Sequence, residues 1–177
     1  VGEFIYSMVR ILKPEHVLET GTHWGVGASY IGMALLDNGM GQLDTVEFIP
    51  EIHDIAKVRI SRLGFEHIIT CHLGDVAQFE PKCNYKLILL DTEPQTRFAE
   101  LIKFYPHLEP GGFVFIHDLH KHMHQIPNEE HGFAWPYGLL PEQIKQWVKA
   151  GELRPFYFET PRGLTGFYKV HPDDYIW

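Results

Sequence analysis

Apolar positions along the chain alternate between two rhythms. Residues 3–12 place Phe4, Ile5, Met8, Val9 and Leu12 at three- and four-residue spacing, which predicts a helix with one face on a sheet. Lys13-Pro14 ends it, because the residue before a proline is pushed out of the α region. Residues 16–19 are apolar and β-competent at their centre, and residues 28–36 return to a helical stripe that stops at Asn38-Gly39. A second strand is predicted over 41–48. Pro50 then opens a helix from its first turn, with Ile52, Ile55, Ala56, Ile60 and Leu63 inward. Third and fourth strands are predicted at 67–71 and 85–91, the latter nearly all apolar, as a strand covered on both faces should be. A helix over 97–107 follows, with Phe98, Leu101, Ile102 and Tyr105 as its stripe. The Leu-Glu-Pro-Gly-Gly at 108–112 then reads as a turn into a fifth strand at 113–118. A short helix over 141–150 and two strands at 154–159 and 164–170 close the pattern. Residues 160–163 join those strands tightly, as in an antiparallel hairpin. The alternation predicts an α/β fold: a doubly wound, mostly parallel sheet of seven strands with a C-terminal antiparallel hairpin.

Residues 119–141 break the rhythm. Histidines, prolines and aromatics (Phe133, Trp135, Tyr137) follow one another without period, so this stretch is expected to be a long functional lid. No linker interrupts the rest, and residues 1–177 read as a single domain. A net charge of −8 with no basic run argues against a nucleic-acid partner. No apolar run approaches the ~20 residues of a membrane span. Cys71 and Cys83 form no Cys-x-x-Cys pattern and read as reduced thiols, which suggests a cytoplasmic setting. A homo-oligomer remains open.

The chemistry concentrates where strand one meets the following helix. There the chain reads Glu19-Thr20-Gly21-Thr22-His23-Trp24-Gly25-Val26-Gly27. A strand, a glycine turn and a helix N-terminus together make a site for a nucleoside-bearing ligand. A dinucleotide fingerprint would need glycines at 21, 23 and 26, but His23 and Val26 stand there. Glu19 would repel a pyrophosphate and suits a cationic ligand. The pattern Glu19-x-Gly21-x-x-x-Gly25 resembles motif I of the class I S-adenosylmethionine-dependent methyltransferases, with His23 in place of the middle glycine. The phrase LEPGGFVFIHD is similar to that family's entry into its fifth strand, and the resemblance spans residues 10–170. It implies a Rossmann-like methyltransferase fold with strand order 3-2-1-4-5-7-6. It further implies S-adenosylmethionine as cofactor, held by Glu19, Gly21, Thr22, His23 and Gly25 at the turn, by Glu47 and Phe48, by Asp75 and Val76, and by Asp91. Glu47, about twenty residues past the turn, would take the ribose hydroxyls. Asp75 has two compatible readings, a contact to the adenine amino group and a helix N-cap.

Ligands of open parallel sheets bind off the carboxyl ends of the strands. Asp91 and His117-Asp118 end adjacent central strands there, so their side chains should be neighbours. Close carboxylates share a proton, are hydrogen-bonded or hold a cation. In the same resemblance, metal-dependent O-methyltransferases of the catechol type carry Asp and then Asp-Asn at these places. The cephalosporin-hydroxylase-like members carry Asp and then Glu-Asp. Here His117 replaces the Glu, Leu119 stands where the catechol type has Asn, and no lysine follows Asp91. A divalent metal such as magnesium or manganese at Asp91, His117 and Asp118 is one reading; a histidine-rich polar loop is the other. His117 and His120 are the candidate catalytic bases, with His122 and His124 close by. The function implied is methyl transfer to a small-molecule acceptor, a hydroxyl by preference. Two alternatives stand beside it: a non-catalytic nucleoside-binding or partner-docking module on the same fold, and a nicotinamide oxidoreductase.

Overall fold

The computed structural model describes residues 1–119, 140–158, 160 and 162–175. The elements run α1 (Gly2–Leu12), β1 (His16–Thr20), α2 (Val26–Asn38), β2 (Gln42–Glu47), α3 (Pro50–Arg62), β3 (Ile69–Leu73), β4 (Tyr85–Leu90) and α4 (Arg97–Phe104). A 3-10 turn (Tyr105–His107) leads into β5 (Leu108–His117), followed by α5 (Glu142–Lys149), β6 (Leu153–Phe158) and β7 (Leu164–Lys169). Seven strands form one sheet in the order β3-β2-β1-β4-β5-β7-β6. All neighbours from β3 to β5 are parallel, while β7 is antiparallel to both β5 and β6. The expected order and terminal hairpin are both present.

Period-two alternation divides the core between the two faces of the sheet. In β4, Leu87 and Leu89 join Val17, Ile31, Leu43 and Phe115 on one face. Ile88 and Leu90 join Leu18, Val46, Leu101 and Phe104 on the other. Each such side chain, fully buried, contributes roughly 1.5–3 kcal/mol of transfer free energy. The centre of the sheet, whose strand ends carry the polar residues of interest, is therefore its most firmly packed part.

Several boundaries and faces differ from expectation. On α3 the buried residues are His53, Ala56 and Ile60, whereas Ile55 and Leu63 are exposed. Strand β3 lies two residues later than predicted, because Phe65 and Ile68 close a turn ahead of it. Leu108 to Gly112 belong to β5. Tyr85 pairs with Leu108 and Leu87 with Phe113, so Glu109-Pro110-Gly111-Gly112 bulges out of the ladder instead of preceding it. On α4 the buried row is Arg97, Phe98, Glu100, Leu101 and Phe104, rotated from the expected stripe; Ile102 and Tyr105 are only half-buried.

The connection from β3 to β4, residues 74–84, contains no helix. Asp75 thus caps a single turn, its Oδ1 accepting from the Ala77 amide at 2.8 Å, and the helix N-cap reading is withdrawn. The uncovered sheet face leaves a hollow of about 380 Å³ above Asp44 and His72.

Candidate functional site

The turn after β1 is built by two tight approaches. Gly21 has φ +79°, and a Cβ there would stand 2.4 Å from the Asp91 carbonyl oxygen, so only glycine lets the ends of β1 and β4 meet this closely. Its amide and that of Thr22 both donate to the Val46 carbonyl, at 2.9 and 3.1 Å, which ties the turn to β2. Gly27 faces Glu19: a Cβ would lie 2.1 Å from Glu19 Oε1. The Glu19 carboxyl is therefore wedged between the sheet and the first turn of α2 and is 2% exposed.

Thr45 donates to Glu19 Oε2 at 2.6 Å, and the Thr45 and Thr22 hydroxyls are themselves 2.6 Å apart. Burial pushes the Glu19 carboxyl up to about 8. The Thr45 hydroxyl opposes that rise, while the charges of Asp91 and Glu47 add to it. Glu19 thus underlies the turn as a buried, proton-holding group.

Glu47 ends β2 with both carboxylate oxygens engaged. The His23 amide donates to Oε2 at 2.8 Å and the Ile49 amide to Oε1 at 2.9 Å. One side chain so fixes the glycine turn and the entry to α3 together. His23 itself sits at φ +48°, a conformation rare for a side-chain-bearing residue, and its exposed ring stacks on exposed Trp24 at 4.9 Å. Trp24 is therefore not a core residue. The imidazole that replaces the middle glycine therefore lies on the outside of the turn.

Beside Glu47 opens a cleft of about 430 Å³ lined by Phe48, Asp75, Val76, Thr92, Glu100 and Lys103, among others. Phe48 is 69% exposed and Val76 is buried, so the cleft has one free aromatic wall and one packed aliphatic wall. Sequence reasoning singled out Phe48, Asp75 and Val76 but missed Glu100. That carboxylate is buried and accepts from Thr20 at 2.6 Å, from Thr96 at 2.8 Å and from Thr92. It locks the ends of β1 and β4 together beneath the cleft.

At the next strand ends Asp91, His117 and Asp118 converge, with one ligand-type atom from each lying within 4.8 Å of the others. His117 Nδ1 is 3.0 Å from Asp91 Oδ1; with the proton assigned to Nδ1, the imidazole donates to the carboxylate and leaves Nε2 as an acceptor. Asp118 has φ +56°, which turns its carboxylate back towards the sheet edge, and its amide donates to the Gly163 carbonyl at 3.0 Å. His117 Nε2 stands 3.5 Å from Asp118 Oδ1, an ion-pair distance. That oxygen is buried and has no hydrogen-bond partner among the described residues.

Two guanidinium groups reach the same cluster, and neither was anticipated. Arg97 is 3% exposed. Its Nε donates to the Thr92 carbonyl at 2.8 Å, its Nη1 to the His117 carbonyl, and its Nη2 lies 3.4 Å from Asp91 Oδ1 and 3.8 Å from Asp118 Oδ2. Arg162, on the β6–β7 turn, donates to Asp118 Oδ2 at 2.7 Å. Spacing on α4 carried a usable signal: Arg97 and Glu100 sit four residues before Leu101 and Phe104, on the same inward row. His120, His122, His124, Phe133, Trp135, Tyr137 and most of the expected lid lie outside the described residues.

Comparison with known proteins finds both similar sequences and similar folds. A family model described as "Methyltransferase domain" matches residues 18–119. The protein-L-isoaspartate O-methyltransferase of Methanopyrus kandleri is 29% identical over 116 residues, covering 64% of this chain and 49% of that protein. The chain spans about half the length of such curated relatives. Among solved structures, the O-methyltransferase TomG from Streptomyces achromogenes, involved in tomaymycin synthesis and crystallised with S-adenosylmethionine (SAM), has a TM-score of 0.75. It is 17% identical, with 96% of this chain and 79% of that one covered. An O-methyltransferase from Bacillus cereus in complex with S-adenosylhomocysteine (SAH) gives a TM-score of 0.78 at 17% identity, covering 95% and 80%. These structures share the fold.

Proposed function

The chain belongs to the methyltransferase-domain family, and from that premise we propose that it transfers the methyl group of SAM to a hydroxyl of a small-molecule acceptor, with His117 taking up the proton. The Asp91–His117 pair carries this reading, because it stands at the strand ends next to the glycine turn and the 430 Å³ cleft. In this arrangement the adenine lies between Phe48 and Val76 with Asp75 at its edge, and the ribose hydroxyls meet the spare lone pairs of Glu47. The amino-acid end rests on the turn at Gly21, Thr22, His23 and Gly25, over the buried Glu19. The acceptor oxygen then approaches from the side of His117.

Methyl transfer from a sulfonium is an in-line displacement. The oxygen–carbon bond forms as the carbon–sulfur bond breaks, and sulfur keeps the bonding pair. The protein's share is alignment and removal of the hydroxyl proton. His117 Nε2 is the acceptor for that proton, and Asp91 on the opposite ring nitrogen stabilises the imidazolium formed. The TomG structure holds SAM, and the Bacillus cereus structure holds SAH, which supports the same choice of cofactor here.

A divalent metal at Asp91, His117 and Asp118 fits the spacing of the ligand atoms but not the charge. The two carboxylates already face the buried Arg97 and the Arg162 guanidinium. No step is therefore routed through an ion.

Transfer of tritiated methyl from SAM to a panel of alcohols, phenols, amines and thiols tests the reading. Oxygen methylation is expected, with His117→Ala lowering the rate by ~100-fold or more while SAH still binds. Methyl found on nitrogen or sulfur, or a His117→Ala variant with full rate, would refute it.

A further inference from the structure

We propose that Arg97 is a resident cation, holding the strand-end oxygens that a divalent metal would otherwise gather, so that this site excludes metal by construction. The inference rests on the reading of Asp91, His117 and Asp118 as the reaction edge. A guanidinium stays charged under all ordinary conditions, and a charge 97% withdrawn from water has to be paired. Among the described residues, Arg97 is paired with groups from the ends of β4 and β5. Two are the carbonyl oxygens of Thr92 and His117, and two are the carboxylates of Asp91 and Asp118. Two carbonyls and two carboxylates are the donor set of a hard divalent ion.

Charge completes the case. Arg162 adds a second guanidinium on Asp118, so two negative and two positive side chains meet at one edge. A divalent ion entering here would place two further positive charges within a few ångströms of a buried guanidinium. Arg97 also ties the loop after β4 to the end of β5, which is the alignment that brings Asp91 against His117. It is a positioning residue: it holds the dyad in register and supplies the countercharge. Asp118 Oδ1, buried and without a hydrogen-bond partner among the described residues, lies 3.5 Å from His117 Nε2 and outside the reach of both arginines.

Removing the cation should convert the edge into a metal site. Manganese(II) titrated into SAH-loaded protein and followed by electron paramagnetic resonance gives a direct readout. The wild type is expected to take up no stoichiometric manganese. Arg97→Met should bind one ion per chain at least ~100-fold more tightly than the wild type, and Arg97→Lys, which keeps a cation, should not. Loss of a purely structural arginine would not create a manganese site. Stoichiometric uptake by the wild type overturns the inference, as does an Arg97→Met protein that still binds SAH yet gains no affinity. Should Arg97→Met fail to fold, wild type and Arg97→Lys decide: uptake by either refutes, and exclusion by both supports. Because the readout is manganese and not methyl transfer, a failure of the hydroxyl-acceptor reading would show separately, in the tritium assay.

Discussion

Replacing Glu19 with glutamine isolates the energetic role of the carboxyl beneath the glycine turn. Its folded-state value of about 8 lies well above the ordinary 4.5, with burial as the main cause. The native protein therefore keeps a proton that the unfolded chain releases between those two pH values. Stability from this group is fully present below about 4.5 and is lost as pH rises through about 8, at up to ~1.4 kcal/mol per pH unit. At pH 7 the accumulated loss is about 3 kcal/mol, a sizeable part of a domain's usual stability. Glutamine resembles the protonated acid and cannot ionise. Urea denaturation of wild type and Glu19→Gln at pH 5, 6, 7 and 8 should thus give a difference that grows in favour of the variant by about 3 kcal/mol across the series. Asp91 and Glu47, whose charges act on the same carboxyl, are present in both proteins. Saturating SAM, cationic at sulfur, should shrink the slope in the wild type by favouring the ionised carboxylate. A difference that stays flat with pH, or runs the other way, would refute a proton-holding Glu19.

Two further outcomes are expected. Glu47→Ala removes the acceptor for the His23 and Ile49 amides as well as the proposed ribose contact. SAH binding by calorimetry should weaken by about 1.5–3 kcal/mol, and unchanged affinity would remove Glu47 from the site. Gly21→Ala forces a side chain to φ +79° against the Asp91 carbonyl, so it should abolish cofactor binding; a variant that still binds SAH normally would show that the turn can yield.

Much of the fold was legible because hydrophobic period and turn chemistry agree along the chain: the strands of the parallel half, the glycine turn, Pro50 at the start of α3 and the closing hairpin. The bulge of β5 was not, since Pro110-Gly111-Gly112 carries turn chemistry that the β4 neighbour overrides by pairing on both sides of it. Nor was the bare β3–β4 connection, because Asp75 and the residues after it satisfy a single capped turn as well as a helix start. At the site, Asp91, His117 and Asp118 could be brought together from strand order alone. Arg97 and Glu100 carried only the spacing signal on α4, against the rule that charge ordinarily marks the outer row of a helix. The carboxylates, carbonyls and threonines facing them, at the ends of β1, β4 and β5 and the start of α4, reverse that preference.

The turn between β6 and β7 gives the site a place in time as well as in space. The described residues that line the 430 Å³ cleft, from Phe48 to Lys103, emerge from the ribosome first, as local strand–helix–strand units that can pack while synthesis continues. Asp118 is different: its left-handed backbone is held by the Gly163 carbonyl and its carboxylate by Arg162, both made some forty-five residues later. Strand β7 must also slip between β5 and β6, reversing the direction of the sheet. A nascent chain can thus hold the lining of the cleft before the Asp118 backbone and carboxylate are fixed. In this order of assembly, the Asp118 corner of the strand-end cluster is set only when the β6–β7 hairpin is made.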